Sequence, residues 1–259
     1  MIHYTEYGHG TPTVAFLHGV FGQGGRNWTS PARALSRHTV LVDAPNHGRS
    51  SWTEDFTYIS MSDQIAEFLE QWAPPIDLVG HSMGAKNAML IALRHPPEMI
   101  HKLVLVDSEP VTYPPGRDFD VMIAAMQSMD LDALERRRDA EDWLESQGVH
   151  SNAVRQFLLQ NLHRDPPKTG TWSWHMNLDL LARRMNVVRA FPEVTEEPFT
   201  KPTLLIGGAE SDYVLPEYDE ALYRLFPNAE KILIPGARHW VHSDQPELFT
   251  KALKAFLEA

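Results

Sequence analysis

The stretch Val79-Gly80-His81-Ser82-Met83-Gly84 decides how the chain is read. An apolar run, Ile76 to Val79, stops at Gly-x-Ser-x-Gly and restarts as the helical pattern Ala85 to Leu93. A serine so placed at a strand-to-helix corner is a nucleophile elbow. The turn forces the serine into a strained backbone conformation. The glycines two before and two after it let strand and helix approach. The hydroxyl then projects above the sheet, and the Met83 amide lies at a helix N-terminus, where it can donate to a developing oxyanion. A tight turn with an incidental serine carries the same letters, so the motif needs partners.

Working back from the elbow, Ile2 to Tyr7 alternates apolar and polar residues and reads as an outer strand. Thr13 to Leu17 is a short buried-strand run that ends in His18-Gly19-Val20-Phe21-Gly22-Gln23-Gly24-Gly25. That glycine spacing fits neither the dinucleotide fingerprint nor the phosphate loop. A remaining use is to aim a backbone amide at a neighbouring site. A helix is expected over Pro31 to His38, with Ser30 as its cap. Thr39 to Val42 is the next strand, ending at Asp43-Ala44-Pro45-Asn46-His47-Gly48-Arg49-Ser50. Met61, Ile65, Phe68 and Trp72 recur at helical spacing behind Ser60 or Ser62 as cap.

Beyond the elbow helix, Leu103 to Val106 is a fully apolar strand ending in Asp107. Strands and helices alternating in this order predict an α/β protein with a mostly parallel, doubly wound sheet and functional groups at the strands' carboxyl ends. From Ser108 to Thr200 the alternation breaks into helical segments carrying Met122, Met126 and Met129, a charged stretch from Leu131 to Leu144, and a Ser151-capped run. Trp172 and Trp174 precede a helix with Leu178, Leu181, Met185 and Val188. The expectation is a helical cap, residues 108–200, inserted into a core formed by residues 1–107 and 201–259. Most of its Met, Leu and Trp side chains hold the cap together, and a minority facing the serine would make an apolar acyl pocket. The core pattern returns at Thr203 to Ile206, with a helix from Pro216 to Phe226, a strand from Glu230 to Ile234 and a closing helix from Pro246 to Leu257.

The 259 residues suffice for one large domain with an insertion. A formal net charge of −11 argues against nucleic acid or an anionic membrane as partner. With no cysteine, disulfides, thiolate metal sites and a cysteine nucleophile are excluded. The opening residues Met1 to Glu6 lack the basic and apolar regions of a secretory signal, and no apolar run reaches the length of a membrane span, so the expectation is a cytoplasmic protein.

Ser82 requires a base within hydrogen-bond reach and an acid to orient it. His239 stands in the loop after the last strand, where a base would come over the sheet; His242 is its competitor, in or beside the closing helix. The order serine, acid, histidine along the chain is that of the α/β-hydrolases. The histidines show no spacing such as His-Glu-x-x-His, which argues against a metallohydrolase.

Four segments together carry a family resemblance: His18-Gly19-Val20-Phe21-Gly22, Asp43-x-x-Asn46-His47-Gly48-Arg49-Ser50, Gly80-His81-Ser82-Met83-Gly84 and Gly236-x-x-His239-Trp240-Val241-His242. Over essentially its whole length the chain resembles an α/β-hydrolase, and within that superfamily the YbfF-like esterases of bacteria. Pro45 departs from the arginine usual before Asn46. In most α/β-hydrolases the acid follows the penultimate strand, three residues before a valine; counted back from Val214 that position is Ser211, flanked by Glu210 and Asp212. The YbfF-like branch also shows serine there, and the resemblance implies an acid after the preceding strand, at Asp107. Ser211 is then expected to support His239, with Asp212 and Glu210 as alternative acids.

The resemblance implies hydrolysis of an acyl ester, with no cofactor. Ser82 attacks, His239 carries the proton, Asp107 orients the imidazole, and the amides of Met83 and Val20, with Phe21 beside it, hold the oxyanion. A thioesterase, a lactonase, a carbon–carbon bond hydrolase, a cofactor-free haloperoxidase or a ligand receptor could use the same scaffold. The partner expected is a small-molecule ester or thioester.

Overall fold

The computed structural model describes residues 1–72, 74–167 and 170–259. Its strands are β1 (Tyr4–Tyr7), β2 (Val14–Leu17), β3 (Thr39–Val42), β4 (Ile76–His81), β5 (Ile100–Val106), β6 (Leu162–Asp165), β7 (Thr171–Trp174), β8 (Thr203–Gly208) and β9 (Ala229–Ile234). Among the described residues, seven of these form one sheet in the order β1-β3-β2-β4-β5-β8-β9. Only the edge strand β1 runs antiparallel, with Tyr4 opposite Val42 and Tyr7 opposite Thr39. This is the mostly parallel sheet that the strand–helix alternation predicts.

Side-chain alternation assigns each strand to two cores. Ala15, Leu17, Val40, Val42, Leu78, Leu103 and Leu105 face one side, beneath the helices Tyr58–Leu69 and Met83–Arg94. Val14, Phe16, Leu41, Val79, Val104 and Val106 face the other, against Trp28 and the closing helix Pro246–Glu258, through Phe249 and Leu253. Residues 83–93 are buried all round, because that helix lies between the sheet and its neighbours. No helix among the described residues is long and apolar enough to cross a membrane.

Several local expectations are corrected. The first long helix spans Thr29–Ala34 rather than Pro31 to His38. Gly24–Asn27 already forms a helical turn, and the Thr29 hydroxyl donates to Gly25 O at 2.6 Å, so Ser30 lies inside the helix rather than capping it. Thr57, not Ser60 or Ser62, caps Tyr58–Leu69: its hydroxyl accepts from the Ser60 N–H. The charged stretch becomes helical only at Arg137, and that helix ends at Ser146. Ser151 caps Asn152–Leu159 as its sequence suggests. Trp172 and Trp174 lie on β7, which pairs antiparallel with β6, so the insertion between β5 and β8 is not wholly helical. The Trp-Ser-Trp alternation has the period of two that belongs to a strand.

Inserted residues bond the segments that follow β3 and β4. Tyr58 Oη donates to Val188 O at 2.8 Å. Lys86 Nζ donates to the carbonyls of Arg189 and Ala190 at 2.7 and 2.8 Å. Asn177 donates its backbone N–H to Asn46 O and its side-chain amide to Asn46 Oδ1. Burial lowers the Lys86 ammonium to about 7, and the two carbonyls accept its protons at the C-terminus of helix Met185–Arg189.

Candidate active site

The elbow is built as its glycines require. Ser82 has φ 54° and ψ −117°, a conformation sparsely populated by residues with a Cβ, and it precedes helix Met83–Arg94. A Cβ at Gly80 would lie 2.3 Å from Gly84 O, and one at Gly84 would lie 2.4 Å from Leu17 O. Strand, elbow helix and the β2 end thus meet at backbone distance, and any side chain would push them apart.

Three segments distant in sequence converge there. Ser82 donates its hydroxyl to His239 Nε2 at 3.0 Å, and His239 Nδ1–H donates to Asp107 Oδ2 at 2.8 Å. That pair of bonds sets one tautomer, with the proton on Nδ1 and an open acceptor at Nε2. Asp107 is fully buried at the end of β5, with φ 48°. Its Oδ1 accepts from the Gly208 N–H at 2.8 Å, and Oδ2 also accepts from the Ser211 hydroxyl at 2.5 Å. Ser82 and His239 are each only 9% exposed.

The expected support of His239 by Ser211 is not what the structure shows. Ser211 bonds the acid instead, because the single Nδ1 proton of His239 is already given to Asp107. Glu210 and Asp212 are exposed on the same turn. His242 lies in the short helix Val241–Asp244, wedged between Trp28 and His81 with ring centroids 4.6 and 4.9 Å away, and does not bond Ser82.

The neighbouring histidines are kept neutral by burial. His81 Nε2–H donates to His239 O at 2.8 Å and so fixes the backbone that carries the imidazole; burial first, then His239 and His242, hold its pKa well below the ordinary value. His18 Nδ1–H donates to Gly19 O at 2.7 Å, and its Nε2 accepts from the Ala44 N–H at 3.0 Å. Burial lowers its pKa despite Asp43. Burial pushes His242 down to about 3, and His47 to about 3 with His18 as a further cause.

Val20 and Met83 are buried, and among the described residues no backbone carbonyl accepts from the amides of Val20, Phe21 or Met83. A Cβ on Gly19 would approach Ser82 Cβ to 3.1 Å, so the β2 loop lies against the serine. No group of three or more His, Asp or Glu side chains among the described residues could hold a metal ion. Two aromatic residues were not legible as part of this site. Tyr213 stacks on His239 with ring centroids 4.1 Å apart, and Tyr113 Oη donates to Tyr213 O at 2.8 Å. Neither falls in a periodic run or a motif.

Residues 14–252 match the alpha/beta hydrolase family. The chain is 40% identical over 254 residues to the sn-1-specific diacylglycerol lipase ABHD11 of Mus musculus, covering 95% of this chain and 81% of the relative. It is 28% identical over 252 residues to the esterase YbfF of Escherichia coli, covering 96% and 94%. Among solved structures, a marine microorganism esterase superposes with a TM-score of 0.93 at 30% identity, covering 98% of each chain.

Proposed function

The chain belongs to the alpha/beta hydrolase family and is a serine ester hydrolase, and on that premise we propose that Ser82, His239 and Asp107 are its catalytic triad. Ser82 Oγ attacks the acyl carbonyl while His239 Nε2 takes its proton, and Asp107 stabilises the imidazolium. The amides of Met83 and Val20 hold the negative charge on the former carbonyl oxygen. His239 then protonates the departing alcohol, leaving the acyl group on Ser82. Water, deprotonated by His239, attacks that ester; the acid leaves and Ser82 recovers its proton. Water is the only co-reactant.

The observation that supports this reading is the unbroken line of hydrogen bonds Ser82–His239–Asp107. Residues 108–200 act as a cap over the site, and residues 1–107 with 201–259 as the core. Apolar residues of that cap facing Ser82 would favour an ester with a hydrophobic acyl group. An acylglycerol fits this class, in keeping with the relative named as a diacylglycerol lipase.

The test is turnover of p-nitrophenyl esters by Ser82→Ala and His239→Ala. Each is expected to lose about 10³-fold or more in kcat while unfolding at an unchanged temperature. A fluorophosphonate should label the native protein at Ser82 alone. Substantial activity in either variant would remove the assignment.

A further inference from the structure

We propose that Asn161, in the insertion, is a positioning residue for the turn that carries the Val20 and Phe21 amides, so that seating the insertion and forming the oxyanion hole are one event. The proposal rests on the assignment of the Val20 amide to the oxyanion.

The Gly22 N–H donates to Gly19 O at 3.0 Å, closing a four-residue turn with Val20 and Phe21 at its centre. Phe21 has φ 62°, whereas Val20 is not among the residues with positive φ. These signs are those of a type II turn, whose third position belongs to glycine or asparagine. A phenylalanine there is strained, and relaxing its φ would swing the Phe21 carbonyl and shift the turn. Since Gly19 lies against Ser82, that shift would displace the amides beside the reacting carbonyl.

Asn161 opposes the relaxation. Its Nδ2 donates to Phe21 O at 2.6 Å, 140 residues away in the chain. Its Oδ1 accepts from Gln23 Nε2 at 2.8 Å. Its own backbone is tied as well, with the N–H given to Leu158 O and the carbonyl accepting from the His175 N–H at 2.7 Å. Asn161 is fully buried, so its carboxamide has no water to turn to and one orientation only. The Phe21 ring packs on Phe119 of helix Arg117–Gln127, with centroids 6.0 Å apart, which ties the same turn to the insertion a second time. Lifting the insertion would free the Phe21 carbonyl and leave the strained turn unsupported.

Asn161→Ala is expected to lower kcat on p-nitrophenyl butyrate at least about tenfold with KM held within about threefold. Affinity for a trifluoromethyl ketone, which binds as a tetrahedral adduct, should fall with kcat. A glycine adopts this φ unaided, so in a Phe21→Gly background the same substitution should cost less than about threefold. A merely structural asparagine would show neither the kcat-only loss nor its suppression by glycine. The proposal is overturned by a kcat within about twofold of the native value, by a loss confined to KM, or by an equal loss in both backgrounds. If Asn161→Ala does not fold, Gln23→Leu carries the test: kcat should fall with KM held, and an unchanged kcat overturns the proposal. Absence of fluorophosphonate labelling at Ser82 in the native protein would instead strike the triad assignment.

Discussion

Ser211 and His239 donate to the same oxygen of Asp107, at 2.5 and 2.8 Å, while the Gly208 N–H holds the other. The carboxylate is thereby fixed in plane and in direction. If it orients the base, Asp107→Asn should cost about 10³–10⁴-fold in kcat, because an amide in that place presents the wrong group to Nδ1–H. Asp212→Asn and Glu210→Gln should each stay within about twofold, being exposed. Ser211→Ala leaves the carboxylate two donors, and a loss of about tenfold or less is expected. Steady-state ester hydrolysis by the four variants decides all three statements.

Backbone strain at Ser82 makes a second prediction, on stability. Its φ of 54° favours glycine, so Ser82→Gly should be more stable than Ser82→Ala by about 1 kcal/mol. Both lack the hydroxyl, so the comparison isolates the strain. Urea unfolding of the pair measures it, and equal midpoints would show that the elbow stores none.

The same corner should tolerate no added methyl. Gly84→Ala would set a Cβ 2.4 Å from Leu17 O and 2.6 Å from His18 O, both backbone atoms that cannot step aside. A destabilisation of about 3 kcal/mol or more is expected. It would appear as loss of soluble protein or a fall in unfolding temperature, and an unperturbed variant would contradict the packing described.

Acid should unfold the protein through its buried histidines. His47 and His242 are lowered from 6.5 to about 3 by burial, so between those values the unfolded chain binds protons that the folded chain refuses. The contribution of these two histidines is therefore complete above pH 6.5 and declines as pH falls, by about 1.4 kcal/mol per pH unit for each. His242→Phe keeps a ring between Trp28 and His81 and removes one titrating group. Its unfolding free energy should fall less steeply between pH 7 and pH 5 than that of the native protein.

Much of the architecture is legible in the sequence because buried parallel strands are short apolar runs that stop at glycine, aspartate or histidine. Reading where Val79, Val106 and Ile234 stop places Ser82, Asp107 and the His239 loop at one edge of a sheet, and the structure brings those three side chains within hydrogen-bond distance. The family resemblance, rather than spacing, singles out Asp107 over Asp212. What sequence does not carry is the partner of a polar side chain once several are near. Ser211 could have met the imidazole or the acid, and only the Nδ1 proton count separates them. Tyr213 and Asn161 are less legible still, because each is defined by a contact far along the chain. The β6–β7 hairpin was hidden because its strands are short and half-polar, so a helical neighbourhood outweighed them.

The insertion is bolted down at separate places: Lys86 to the carbonyls of Arg189 and Ala190, Asn46 to Asn177, and Phe21 to Asn161. A flap hinged along one edge could swing; a plate fastened at three corners must shed two sets of bonds before it moves.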